Sequence, residues 1–369
     1  MKLLHLSYSC TSSDGGISIS VDNLIKEQNN YQNNASWLTF DKRNILFNKE
    51  SILDEIKDLS PSLIHIHGLW RLPSRISPKL ARQFDIPLVI SPHGMLDPWA
   101  LRNSRWKKNL AWLLWEYKAL TSAKCIQALN HSEAHSIRKL LPNIPIAIIP
   151  NAVSLARLNK SIKDPQKVPW ANQIPKGKKI LLFLGRFHQK KGIYPLIKAW
   201  ETLQRSSISK EWWLVMIGYG DSEKLKKEVN KKALSRCLIL DPVFGEEKEI
   251  TLNSSDSFIL PSYSEGLPIA ALEAMSYNLP CILSSACNIN EALSAKAAIQ
   301  GEPNPEELVT SLKKLFKLTD LERNSMGEIG RSIVEKNYSW PTVVKKTYDL
   351  YSWILGESDK PDYLFLDNK

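Results

Sequence analysis

Cysteine is scarce in this chain. Its 369 residues hold five, Cys10, Cys125, Cys237, Cys281 and Cys287, an odd number with no C-x-x-C pair. That pattern excludes a disulfide framework and a cysteine zinc site, and it points to a reducing compartment. Long apolar runs are missing too, since no stretch reaches the roughly 18 apolar residues that a membrane span requires. Near the N-terminus, His5 and Ser7 break the apolar run too early for a signal peptide, so a cytoplasmic protein is expected. No D-x-D motif, no G-x-x-x-x-G-K-[ST] phosphate loop, no internal repeat and no low-complexity tract occurs. Helix-turn-helix, zinc-finger and RNP patterns are likewise absent, which sets nucleic acid aside as a partner.

What is present is the composition of a folded protein: 43% hydrophobic, 24% charged and 9% aromatic. The net charge of +11 invites an anionic membrane surface or phosphorylated small molecules. The surplus is uneven, because residues 1–165 carry 21 basic and 13 acidic side chains and the remainder carries 28 and 25.

Short apolar runs alternate with helix-length segments throughout. Strands are expected at 2–8, 36–39, 63–67, 88–92, 125–128 and 147–149, then at 180–184, 212–217, 238–240, 257–260 and 280–283. Helical patterns lie between them, as at 17–29, 195–203, 222–233 and 306–316. Repetition of strand and helix in this way means parallel sheets covered on both faces. Residues 159–178, rich in lysine and proline and without apolar periodicity, read as a linker. The expected chain is therefore α/β, with doubly wound domains at 1–160 and 161–335, a helix within 336–355 and a frayed tail at 356–369. Ligands of such sheets gather at the carboxyl ends of the strands.

Two passages carry chemistry. In P-S-Y-S-E-G-L-P-I-A-A-L-E-A-M, residues 261–275, Glu265 and Glu273 flank a strand-to-helix loop. Backbone N–H groups of Gly266 and Leu267 can face an anion there, and Pro268 suits the first helical turn. Glu273 can offer its carboxylate to sugar or ribose hydroxyls. In L-L-F-L-G-R-F-H-Q-K-K-G, residues 181–192, a strand and a glycine turn lead to two spaced cations. Arg186 through its fork and Lys191 as a point charge can converge on a diphosphate.

Taken in order, G-R-x4-K-G, I-G-Y-G-D at 217–221 and P-S-x-x-E-G-L-P-x4-E-A-M resemble the motifs of the family-four (group 1) retaining glycosyltransferases. D-G-G at 14–16, H-I-H-G at 65–68, S-P-H-G at 91–94 and P-N-A-V-S at 150–154 extend the resemblance over nearly the whole chain. Ala152 and Ser154 stand where the family usually has Gly and Asp, and 284–291 lacks the glycines that usually follow the last motif. The resemblance implies the GT-B fold, two facing Rossmann-like domains with an interdomain cleft. The first domain would meet the acceptor, the second would bind the donor, and the C-terminal helix would cross back to the first.

The resemblance further implies transfer, with retention and without metal or other cofactor, from a nucleotide-diphosphate sugar to a glycan or lipid-linked acceptor in cell-surface polysaccharide synthesis. Arg186 and Lys191 would neutralise the donor diphosphate, and Glu265 with Gly266 and Leu267 would hold the transferred sugar and its phosphate. Glu273 would bond the ribose, and Gly16 would let backbone approach the diphosphate. His93 would border the transferred sugar. The implied catalytic residues are thus Arg186, Lys191, His93 and Glu265. A sugar-nucleotide epimerase of the same fold and a basic membrane-surface protein are the alternatives.

Weaker signals remain. His65 and His67 share one face of a strand, but third and fourth ligands are not evident, so no metal site is expected. His5, His131, His135 and His188 carry no usable signal. Residues 99–118 hold four tryptophans together with Arg102, Arg105, Lys107, Lys108 and Lys118. At helical periodicity Trp106, Leu110, Leu113, Leu114 and Tyr117 share one face, with Trp112 and Trp115 on another. This is the pattern of a helix lying on an anionic membrane, peripheral at the inner face of the plasma membrane, or of a core helix with snorkelling lysines. Residues 341–355 read as a final amphipathic helix whose aromatics fill an interdomain core.

Overall fold

The computed structural model describes residues 1–10, 16–40, 49–102, 104–156 and 167–365. Asp14 and Gly15 of the D-G-G motif, residues 159–166 of the expected linker and residues 366–369 of the tail lie outside these. In chain order the strands are β1 (Leu3–Ser7), β2 (Ala35–Thr39), β3 (Leu63–His67), β4 (Leu88–Ser91), β5 (Cys125–Ala128), β6 (Ile146–Ile148), β7 (Lys179–Leu184), β8 (Trp212–Ile217), β9 (Cys237–Leu240), β10 (Ser257–Leu260), β11 (Cys281–Leu283), β12 (Ala298–Gln300) and β13 (Leu364–Phe365). The chain divides into two compact units, Met1–Ala152 with Trp340–Lys369, and Val153–Ser339.

The first unit is built on a sheet of order β13-β6-β5-β4-β3-β1-β2. Its central strands β1, β3, β4 and β5 are buried along their whole length, as parallel strands covered by helices on both faces must be. The helix Trp340–Ile354 packs on this sheet, and its Trp340, Tyr348 and Tyr351 join Leu3, Leu63 and Val89 in one core cluster. Those aromatics therefore complete the core of the first unit. The tail was expected to fray, yet Leu364 and Phe365 pair antiparallel with β6. The exposed edge of β6 offers unpaired backbone groups, Leu364 is buried against the core, and Arg138 Nη2 donates to Phe365 O at 3.0 Å.

The second unit is a parallel sheet of order β12-β11-β10-β7-β8-β9. β7 and β10 are adjacent and central, so the two chemistry-bearing loops leave neighbouring strand ends. Strand β12 had no clear sequence signal, being three residues long and only partly buried. Glycine is demanded where these loops crowd. Gly192 has φ +68, and a Cβ there would lie 1.8 Å from Pro261 O at the end of β10. A Cβ at Gly218, after β8, would lie equally close to Gly185 O, after β7. Backbone packs directly on backbone at these ends.

Gly192→Ala should therefore destabilise the protein by about 3 kcal/mol, lowering Tm by roughly 5–10 °C. Thermal unfolding followed by circular dichroism checks this, and an unchanged Tm would mean that the turn lifts off β10 without strain.

Candidate active site

Beyond β7 the chain turns at Gly185, exposes Arg186 and enters a single 3-10 turn, Gln189–Lys191. His188, silent in the sequence, caps that turn by accepting from Lys190 N–H at 3.1 Å. Beyond β10 the chain runs through Ser262 to Glu265. The two loops meet: Tyr263 N–H donates to Lys190 O at 2.8 Å, and Lys191 Nζ lies 2.6 Å from Glu265 Oε1. Ser262 Oγ donates to the same carboxylate oxygen at 2.6 Å. Glu265 is only 8% exposed, so its charge needs these partners. Its Oε2 makes no hydrogen bond among the described residues, and Arg186 likewise makes no ion pair or hydrogen bond among them.

The stretch 284–291, whose glycines are missing, supports this loop by other means. Its 3-10 turn, Ser285–Cys287, brings Ala286 O to accept from Glu265 N–H at 3.0 Å. Asn288 takes the left-handed conformation a glycine would favour, φ +59, and its Nδ2 donates to Glu265 O at 2.7 Å and Gly266 O at 3.2 Å. Ser284 Oγ donates to Ser262 O at 2.7 Å. Past Gly266 and Leu267 the helix Ile269–Ser276 begins one residue later than expected. Pro268 is its cap rather than part of its first turn, because its ψ of 110° is extended. On that helix Glu273 Oε1 pairs with Lys248 Nζ at 2.6 Å, leaving Oε2 without a hydrogen bond among the described residues.

His93 and Gly16 belong to the first unit. Gly16 opens the helix Gly16–Gln32, which lays Gln28 on the sheet face where β1 and β3 place His5 opposite His65. His5 Nδ1 lies 2.9 Å from His67 Nε2, and His5 Nε2 lies 2.7 Å from Gln28 Oε1. His67 Nδ1 lies 3.1 Å from His93 Nε2. His65 bonds Tyr351 Oη at 2.6 Å and Ser91 Oγ at 2.7 Å. Three of these histidines, His5, His65 and His67, place ring nitrogens within 4.8 Å of one another. The third member that the sequence left unseen is His5, hidden because it lies on a different strand. All their ring nitrogens are already in hydrogen bonds, so a metal ion would have to displace those bonds.

A second residue without a sequence assignment, Glu133, fixes the His93 loop. His93 has φ +54, and the next residue, Gly94, donates its N–H to Glu133 Oε1 at 2.5 Å. Leu129 N–H donates to Glu133 Oε2 at 2.8 Å, and Glu133 N–H donates to the capping Asn130 at 2.9 Å. The available signal was N-x-x-E at the start of a helical pattern, a capping arrangement.

Residues 164–333 match the family model described as glycosyl transferases group 1, and residues 15–157 match that of glycosyltransferase family 4. The chain belongs to the group 1 glycosyltransferases. A Bacillus subtilis (strain 168) glycosyltransferase named for teichuronic acid biosynthesis is 25% identical over 61% of this chain. That match spans about half of the relative, 54% of its length. The Escherichia coli UDP-Gal:alpha-D-GlcNAc-diphosphoundecaprenol alpha-1,3-galactosyltransferase is 26% identical over 82% of this chain and 78% of its own. The solved structure of Anabaena Alr3699/HepE with UDP-glucose superposes with a TM-score of 0.75 at 15% identity, covering 96% of this chain and all of that one. At that identity the likeness establishes the shared GT-B fold alone.

The histidines give this glycosyltransferase a pH signature. Burial holds His5 and His93 down to about 4, and holds His65 and His67 well below the usual histidine value. In the unfolded chain these groups take up protons below about pH 6.5. Stability is therefore full above pH 6.5 and is lost as pH falls toward the folded values, by about 2 kcal/mol at pH 5 for His5 and for His93. Glu133 opposes this: burial raises it to about 7, so its share is full below pH 4.5 and is lost as pH rises through 7. Four histidines outweigh one glutamate, and Tm should fall between pH 7 and pH 5. Scanning calorimetry at constant ionic strength decides, and a Tm that rises on acidification would contradict a neutral cluster.

Proposed function

We propose that this chain is a retaining, metal-independent glycosyltransferase that moves a sugar from a nucleotide-diphosphate sugar to a glycan or lipid-linked acceptor in cell-surface polysaccharide synthesis. The observation that carries this reading is the Lys191–Glu265–Ser262 constellation, with Arg186 on the same loop as Lys191, at the carboxyl ends of two central parallel strands. The UDP-sugar named for the Escherichia coli relative and the UDP-glucose of the Anabaena structure support the donor class.

Breaking a sugar–phosphate bond develops positive charge on the sugar and negative charge on the departing diphosphate, and fixed cations are the strongest available stabilisers. Arg186 offers a bidentate fork and Lys191 a point charge. Glu265, held through one oxygen by Lys191 and Ser262, keeps the other for a hydroxyl of the transferred sugar, whose phosphate is bordered by Gly266 and Leu267. Glu273 keeps its Oε2 for the ribose. In the first unit Gly16 and His93 take the roles implied by the resemblance, on the diphosphate and on the transferred sugar. The acceptor attacks the face the phosphate leaves, assisted by that phosphate, so no side chain becomes glycosylated.

The same reading places the enzyme on an anionic membrane through residues 99–118. This segment is helical at Pro98–Arg102 and Arg105–Ala111, passes through a π turn at Trp112–Glu116 and ends at Tyr117–Thr121. Trp106, Leu110, Leu113, Leu114 and Tyr117 are 50–81% exposed, whereas Trp112 and Trp115 are partly buried. An apolar face left in solvent beside five cations suits a lipid surface better than a core. No helix among the described residues is long and apolar enough to cross a membrane.

Arg186→Ala and Lys191→Ala should each lower transfer about tenfold or more. Turnover near wild type would remove these residues from the mechanism, and conversion of the donor sugar with its nucleotide still attached would indicate an epimerase. Activity should survive excess EDTA, and NMR of the product should show the anomeric configuration of the donor. Flotation with phosphatidylglycerol vesicles should show salt-sensitive binding that Lys107→Glu/Lys108→Glu weakens; absence of binding removes the membrane contact.

A further inference from the structure

Three imidazoles and one amide form a single line of hydrogen bonds in the first unit. It runs from Gln28 Oε1 to His5 Nε2 at 2.7 Å, from His5 Nδ1 to His67 Nε2 at 2.9 Å, and from His67 Nδ1 to His93 Nε2 at 3.1 Å. Gln28 and His5 are fully buried, His67 is 4% exposed, and His93 is the partly exposed end. His93 Nδ1 makes no hydrogen bond among the described residues.

A neutral imidazole has one N–H and one lone pair, so a line of them has a direction. A carbonyl oxygen can only accept. Facing Gln28 Oε1, His5 must carry its hydrogen on Nε2 and accept at Nδ1. His67 then donates from Nε2 and accepts at Nδ1, and His93 donates from Nε2. We propose that Gln28, His5 and His67 are positioning residues that hold His93 in its Nε2–H tautomer, so that its Nδ1 lone pair receives a hydrogen-bond donor, a sugar hydroxyl, in preference to a phosphate or carboxylate oxygen. Turning the Gln28 amide over would offer its Nε2 to His5 and reverse every donor in the line. The amide, remote from the exposed ring, thus sets what that ring can bind. The tautomer stands without any substrate, while its use on a sugar rests on the glycosyltransferase reading.

Histidine labelled with 15N in the ring, in the full chain at about pH 7.5, tests the tautomer by long-range proton–nitrogen correlation. His5, His67 and His93 should each appear as one Nε2–H form, with His93 Nδ1 unprotonated. In Gln28→Leu and His67→Phe, checked for retained fold by circular dichroism, His93 should become a mixture of both tautomers. A wild-type His93 in the Nδ1–H form overturns the proposal, as does a tautomer that neither variant moves. So does zinc binding one per chain with displaced imidazole resonances. Should the variants fail to fold, the wild-type spectrum alone decides.

The use is tested with donors each lacking one sugar hydroxyl. His67→Phe should raise KM for the complete donor about tenfold, yet leave it nearly unchanged for the single deoxy donor that lacks the bonded hydroxyl. An equal rise for every donor overturns the hydroxyl assignment. Wild-type protein that transfers no sugar from any donor refutes the glycosyltransferase reading, and with it the sugar-hydroxyl role, while the tautomer result is unaffected.

Discussion

A carboxylate taken almost entirely out of water must be paired, and the pairing of Glu265 with Lys191 organises the second unit's strand ends. For Lys191 to reach it, the turn after β7 must press against the end of β10, which only a residue without a Cβ permits at position 192. For Glu265 to stay in reach, its loop must be held from behind, by Ser284 on Ser262 and by Asn288 on the carbonyls of Glu265 and Gly266. These contacts are consequences of placing opposite charges 2.6 Å apart on loops from neighbouring strands. The pair also joins residues that separate motifs supplied, so a ligand drawn to the lysine meets the carboxylate at the same time.

The first unit manages its polar interior differently. Its buried histidines are kept neutral by burial and satisfied by one another, by Gln28, Ser91 and Tyr351. A neutral hydrogen-bonded cluster avoids the desolvation penalty of charge but depends on every partner being in place, since each lost bond strands a buried group. One unit thus presents compensated charge at its strand ends, and the other presents directional hydrogen bonding.

Much of this was legible from residues alone, because parallel strands buried on both faces appear as short apolar runs and because glycine and proline punctuate the loops. β1, β3, β5, β8 and β10 lie where those runs place them. β12 and β13 escaped notice: two or three residues at a sheet edge have no periodicity to detect. Within the candidate sites, Arg186, Lys191, Glu265 and Glu273 stood out through their setting in strand-to-helix loops and through the order of the motifs. Ser262 was visible as a motif position but its bond to Glu265 was not, and Lys248 and Asn288 are recognisable only from what they touch. His5 and Gln28 show the same limit, for their importance arises from a register between strands and from the turn of a helix. The exposure of Leu113 and Leu114 could not be read either, because periodicity identifies an apolar face but not what covers it.

The first unit is discontinuous, since Met1–Ala152 and Trp340–Lys369 flank the second unit, Val153–Ser339, in sequence. The helix Trp340–Ile354 brings Tyr351 to His65 and covers Leu3, Leu63 and Val89. During synthesis, therefore, the first sheet leaves the ribosome with that face bare and its histidines short of a partner. The second unit, continuous in sequence, can finish its own core beforehand. The first sheet is thus completed only after the second unit has been made, when the helix Trp340–Ile354 brings Tyr351 to His65.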